Sequence, residues 1–206
     1  VCSSDLVKDM ATKTIGALSS TQLNALGTSQ VAALSKQLVS ALTTGQVAGL
    51  ATVSLQALST GNISGLSNDQ VKALSTTQVN ALTTAQVKSL ETADIAVMSS
   101  SQVGALTTSQ LAVLSSGQIQ SLSTGGLAGL GTSTVAALTT TQVNSVTASQ
   151  VAALSTAQVA ALTTTQLNAA SVSLVNALST GQVAALGTST VQGLSTTVIQ
   201  TLTSAQ

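Results

Sequence analysis

From Met10 to the end of the chain an apolar residue recurs at every eighth position with no insertion or deletion. Leu18, Leu26, Leu34 and Leu42 each open one octad, and the series runs on through Leu194 and Leu202. The consensus is Leu-[Ser/Thr]-Thr-x-Gln-Val-x-Ala, as in Leu74-Ser75-Thr76-Thr77-Gln78-Val79-Asn80-Ala81. The sixth place is the strictest: it is aliphatic in every complete octad, from Ile15 and Leu23 to Val191 and Ile199. The first place departs from Leu only to other apolar residues, Met10, Met98, Val146 and Ala170. The eighth place is small, usually Ala or Gly, with Val97 and Val113 the bulkiest exceptions, which implies close backbone approach. A fixed short period over nearly the whole chain is the mark of a solenoid whose units stack on their neighbours.

One unbroken α-helix is excluded by arithmetic. Eight residues at 3.6 per turn advance the pattern by roughly 80° per repeat, which would spread the leucines around the whole cylinder. A helix must therefore restart in each octad, and the residues for a restart are present. Ser or Thr at the second place with Gln at the fifth forms a capping box, and the aliphatic residues at the first and sixth places fall at N′ and N4, the hydrophobic staple. Ser19 with Gln22, Thr43 with Gln46, Thr83 with Gln86 and Ser155 with Gln158 show the pattern. Gly27, Gly131 and Gly187 replace the hydroxyl by another acceptable N-cap, and Glu91 with Asp94 sets negative charge at a helix start. The box is lost at Ala51 with Ser54, at Leu38, at Leu174 and at Val198, and these octads read as weaker turns.

The fold class expected is all-α, a solenoid of short helices with one helix per eight-residue repeat. The alternative is a parallel β-solenoid, since Val, Thr, Ser, Gly and Asn are abundant and stacked Thr or Gln rows suit such coils. Against it, the first and sixth places are separated by odd numbers of residues, which a flat strand would put on opposite faces unless corners intervene. A single octad has too little to bury, so stability must come from its neighbours.

No linker, charge run or change of composition divides the 206 residues. Residues 10–206 read as one continuous octapeptide array, preceded by a segment 1–9 that reads as adapter-derived or frayed. Val1-Cys2-Ser3-Ser4-Asp5-Leu6 resembles a translated sequencing adapter, and the absence of a polar capping unit at either end reads as a piece cut from something longer. Aromatic residues, His, Pro and Arg are absent, and five Lys balance five Asp and Glu. With no basic patch and no stacking ring, no nucleic-acid partner is expected. Apolar runs reach about four residues, as in Val151-Ala152-Ala153-Leu154, far below the ~20 of a membrane-spanning helix, so no membrane span is expected. The first twenty residues hold no apolar stretch of the kind a secretory signal needs.

Chemistry finds little to work with, and the expectation is no enzyme, no catalytic residue, no cofactor and no metal. Cys2 is the single cysteine, so neither an intrachain disulfide nor a thiolate cage is available. Without His, nucleophilic catalysis would fall to a Ser–Lys pair such as Ser35 with Lys36, but adjacent residues on a first helical turn suit a cap and a solvated charge. Glu91 with Asp94, and Asn68 with Asp69, offer oxygens but not the 6–8 ligands that Ca²⁺ takes. The Ser/Thr-Thr pairs at places two and three, Thr43-Thr44, Ser75-Thr76 and Thr163-Thr164 among them, would stack into a ladder of hydroxyls. Capping and solvation account for that ladder; the functional alternative is a face matched to a periodic surface such as ice or polysaccharide.

Leu-Thr-Thr-x-Gln-Val-x-Ala-Leu, at Leu82–Leu90 and again from Leu138 to Val146, resembles octapeptide repeat regions of very large bacterial secreted and surface proteins, adhesin-like or haemagglutinin-like. The resemblance spans Met10–Gln206 and carries no catalytic residue. It implies an extracellular or cell-surface setting and a spacer or adhesive role, and the array is expected to be a structural module, a stalk, spacer or scaffold of a larger surface or secreted protein. The partners expected are the rest of a larger polypeptide and, end to end, other copies of the array.

Overall fold

The computed structural model describes Val7 and residues 10–206. Apart from Val7, the segment 1–9, with Cys2, lies outside the described residues. Twenty-four α-helices of four to six residues follow one another among the described residues, one per octad, from Thr12–Gly16 (α1) to Thr196–Thr201 (α24). No strand occurs among the described residues. The fold is an all-α solenoid of short helices, and the β alternative falls.

Most restarts have the cause that the octad suggests. The second-place residue is extended, with φ −71° and ψ 160° at Ser75, and its hydroxyl accepts from the Gln78 amide at 3.1 Å. Gln78 Oε1 in turn accepts from the Ser75 amide at 2.8 Å, closing the box. The stop is simpler. The first-place leucine leaves the helix for extended backbone, as Leu74 does at φ −61° and ψ 131°. Two extended residues in succession, such as Leu74 and Ser75, then make a corner. No described residue has positive φ, so the helices end without a left-handed cap.

The octads expected to be weaker turns are not. Lys36–Ser40 and Val172–Asn176 span five residues, and Thr52–Ala57 and Thr196–Thr201 span six, as do their neighbours with a full box. Leu38, Leu174 and Val198 are buried where Gln would stand, so apolar burial replaces the box.

The core forms at the expected places. In the first unit Val79 is fully buried, with Leu74 and Leu82 at 4% exposure; in the second Val159 is fully buried and Val151 nearly so. Contacts gather into two compact units, Val1–Met98 and Ser99–Gln206. In the first unit, Thr44–Ala48 (α5) packs on Asn68–Ala73 (α8), and Thr60–Ile63 (α7) on Thr84–Ser89 (α10). In the second, Ser100–Gly104 (α12) packs on Thr124–Ala128 (α15), and that helix on Ala148–Ala153 (α18). Within each unit a helix thus rests on the third one along, and three octads of eight residues make a 24-residue coil.

This stacking explains the small eighth place. A Cβ on Gly49 would lie 2.6 Å from Ser20 Cβ, and one on Gly65 would lie 2.5 Å from Lys36 Cγ. In the second unit a Cβ on Gly193 would meet Thr164 Cγ2 at 2.8 Å. At these glycines the eighth place of one coil therefore crosses the third place of the coil before it so closely that an added Cβ would require the neighbour to shift. In the last coil, sixth-place Val191 and Ile199 are 43% and 45% exposed because no described coil covers them. The second unit also holds a narrow apolar cavity of about 20 Å³, with Val146 on its wall beside Val151, Leu154 and Leu174.

Candidate functional site

The most concentrated polar feature of the described chain is the row of fifth-place glutamines inside the coils. Gln78 shows what one does. Its oxygen is held by the Ser75 amide, while Nε2 donates to the carbonyl oxygens of Val47 and Leu50, both at 2.8 Å. Those two carbonyls belong to the end of a helix and the corner after it, one coil earlier in the chain. The Val47 carbonyl also accepts from the Leu50 amide at 3.2 Å, so Gln78 gives it a second donor, while the Leu50 carbonyl lies past the last helical residue, where no intrahelical donor reaches. One side chain therefore caps the start of its own helix and the end of a helix beneath it. With the acceptor and both amide hydrogens engaged, burial at 3% exposure costs little.

The same geometry recurs in both units. In the first, Gln46 reaches Ile15 and Leu18, Gln70 reaches Val39 and Leu42, and Gln86 reaches Leu55 and Leu58. In the second, Gln142 reaches Leu111 and Leu114, Gln166 reaches Val135 and Leu138, and Gln182 reaches Val151 and Leu154. Asn62, one methylene shorter, keeps only the bond to the Leu34 carbonyl, at 2.8 Å. Sequence reasoning finds the box half of this role and misses the inter-coil half. A period of eight does not say which octad lies beneath which.

A second set of bonds runs in the opposite direction along the chain. Asn24 donates to the Gly49 carbonyl at 2.7 Å and accepts from the Ala51 amide at 2.8 Å. Asn144 does the same with Ala169 and Ser171, and Asn168 with Gly193 and Ser195. Ala51, Ser171 and Ser195 are N-cap residues whose own octads carry Ser54, Leu174 and Val198 in place of Gln. An asparagine from the preceding coil thus takes the amide that the missing glutamine would have held.

The residues singled out for chemistry are spread over separate octads. The Ser35 hydroxyl accepts from the Leu38 amide at 3.3 Å, and the Lys36 stem runs across Gly65, so the pair serves as a cap and a covering chain. Asp69 pairs with Lys72 at 3.2 Å on the surface. Asp94 stands in the glutamine row at 3% exposure, and its Oδ2 accepts from the Glu91 amide at 2.9 Å. Burial pushes its carboxyl above the ordinary range; the Glu91 amide bond pulls the other way, and the Glu91 charge adds to the rise. Among the described residues no three His, Cys, Asp or Glu side chains gather to hold a metal ion. None of the described helices is long and apolar enough to cross a membrane. Third-place Thr76 and Thr84 lie exposed at the first position of their helices, and Thr140 and Thr164 are half-buried there.

Fold and site together define a repeat protein of stacked helical octads whose buried polar groups bind coil to coil. The chain belongs to the ALTTAQ repeat family, whose profile matches residues 3–36, 52–84 and 87–124, together just over half its length. The six letters of that name stand at Ala81-Leu82-Thr83-Thr84-Ala85-Gln86. Comparison with curated proteins gives no match.

Proposed function

We propose that this chain is a structural repeat module, a stalk, spacer or scaffold within a larger bacterial protein that is secreted or held at the cell surface, of the adhesin-like or haemagglutinin-like kind. The observation that carries the reading is the repeated coil-to-coil bonding of the glutamine row. Within each unit the buried amides, such as Gln46, Gln70, Gln78 and Gln86 in the first and Gln142, Gln166 and Gln182 in the second, are engaged in holding one coil to another, which is what an element of set length requires. Exposed rows of Ser and Thr suit a solvated surface outside the cell, and no enzymatic role is assigned. End-to-end self-association belongs to the same reading. The test is to label intact source cells with an antibody to the octads and to image the parent polypeptide by electron microscopy. Surface labelling and a length that falls by one coil per 24 residues removed are expected. An intracellular signal, or an unchanged length, would refute the proposal.

A second reading rests on the third-place threonines, exposed at Thr76 and Thr84 and half-buried at Thr140 and Thr164, which have no capping duty: a face that binds a periodic surface such as ice or polysaccharide. It requires thermal hysteresis or glycan retention at micromolar protein, lost when Thr76, Thr84, Thr140 and Thr164 become Ser. The structural reading expects no adsorption, and clear thermal hysteresis would replace it.

A further inference from the structure

Consensus octads are interchangeable. Gln78 over Val47 and Leu50 makes the same bonds as Gln166 over Val135 and Leu138, so nothing in the consensus tells one octad which other octad to lie on. A chain of identical units is open to slippage, in which one octad loops out and those after it stack one unit late. Sheets with weakly specified register share this problem, and coiled coils answer it with a single buried Asn whose partner is satisfied in one alignment only.

We infer that Asn24, Asn144 and Asn168 are register-determining residues, each marking the one octad that belongs over it. Every one of them bonds to the eighth-place carbonyl 25 residues on and to the second-place amide 27 residues on. In each case the octad above lacks the glutamine that would otherwise hold that amide, with Ser54, Leu174 and Val198 standing thirty residues after the asparagine. The Asn oxygen needs an amide that no glutamine holds, which Ala51, Ser171 and Ser195 supply; the octads with Gly126, Thr134 and Thr190 also lack the glutamine but have no Asn 27 residues before their N-cap, and carry no such mark. If one octad loops out, Asn144 comes to lie under Ser179, whose amide Gln182 already holds at 2.7 Å. The Ser171 amide is then left without its acceptor. Asn at the seventh place is not sufficient by itself, because the Thr203 amide, 27 residues after Asn176, is held by Gln206 at 3.0 Å. The inference concerns how the array is aligned and stands whatever larger protein the array serves.

Two measurements on the full chain test it. In amide exchange, Asn144→Ala should speed exchange at Ser171 about five- to tenfold, the size of one hydrogen bond, and leave Ser195 unchanged. Adding Leu174→Gln should restore protection by rebuilding the box. For register, a chain carrying Cys2→Ser, Thr164→Cys, Gly193→Cys and Thr201→Cys is refolded and oxidised. The cysteine at position 164 then chooses between position 193, beside it in the native stack, and position 201, beside it after a one-octad slip. Position 193 should dominate. The share linked to position 201 should rise severalfold when Asn144→Ala, Asn168→Ala, Leu174→Gln and Val198→Gln make the octads uniform. Unchanged exchange at Ser171 in Asn144→Ala, or the same disulfide distribution in both backgrounds, overturns the inference.

Discussion

A primary amide buried without partners destabilises a fold by several kcal/mol, yet this chain buries one in octad after octad. The resolution lies in the atoms of Gln78. Ser75 N–H, Val47 C=O and Leu50 C=O together meet its acceptor and both donors, so the residue is as well satisfied as it would be in water. Gln78→Leu keeps the volume but removes the acceptor for Ser75 N–H and the donor to Leu50 C=O. It is expected to cost about 1–3 kcal/mol in chemical denaturation. Ala48 is exposed at the seventh place, 27 residues before Ser75, where the Asn24 pattern puts an acceptor for that amide. Adding Ala48→Asn should therefore recover about 1 kcal/mol of the loss. Asp94 is the natural departure from this row. Its carboxyl is raised in the folded chain, so the folded state holds its proton more tightly than the unfolded state does. The stability this lends is full below the unfolded value of about 4 and is lost as pH rises through the raised folded value. Denaturation midpoints should fall over that window in the native chain and lose this dependence in Asp94→Gln. That variant should also be more stable at pH 7, since its amide stands 31 and 28 residues after Ile63 and Leu66, the spacing at which Gln86 bonds Leu55 and Leu58.

At the scale of the helix, where each element begins was legible and where it ends was only partly so. Ser75 with Gln78 and Leu74 with Val79 are local pairs, so cap and staple could be read straight from the chain, and the helical class followed. The stop depends on Leu74 and its equivalents turning extended, and on carbonyls that a distant glutamine satisfies, neither of which an octad shows by itself. The octads without Gln were misjudged for the same reason. Leu174 looks like a broken box until Asn144, thirty residues earlier, is placed beneath Ser171. The signal was present in the sequence as Asn at the seventh place followed thirty residues later by a residue other than Gln. It needed the three-octad coil to give it meaning. Packing at this scale can also be improved. Val146 fills a first place that is otherwise nearly always Leu, and it borders the cavity of about 20 Å³. Val146→Leu adds one methylene to that space and is expected to raise stability by about 0.8 kcal/mol, read from the denaturation midpoint.

At the scale of the whole chain, an array of like units should respond to lost octads according to where the loss falls rather than how large it is. Removing Leu114–Ala137 takes out three octads, one full coil's worth, and leaves every residue between Asn144 and Ser195 at its original spacing. Asn144 still lies 27 residues before Ser171, and Asn168 before Ser195. Removing only Leu154–Ala161 takes out one octad, but it falls between Asn144 and Ser171. The octads beyond the deletion can still stack, since each carries its own first- and sixth-place apolar residues, yet Asn144 now faces Ser179, whose amide Gln182 already holds. The smaller deletion is therefore expected to expose the Ser171 amide to about five- to tenfold faster exchange. The larger one should leave that amide, and Ser195, as protected as in the full chain. Helix content by circular dichroism should fall in both only by the octads removed. Equal protection of Ser171 in the two deletions would show that alignment is carried by the consensus octads alone, and unfolding of the whole array by the single-octad deletion would show that its units are not independent enough to act as a spacer of adjustable length.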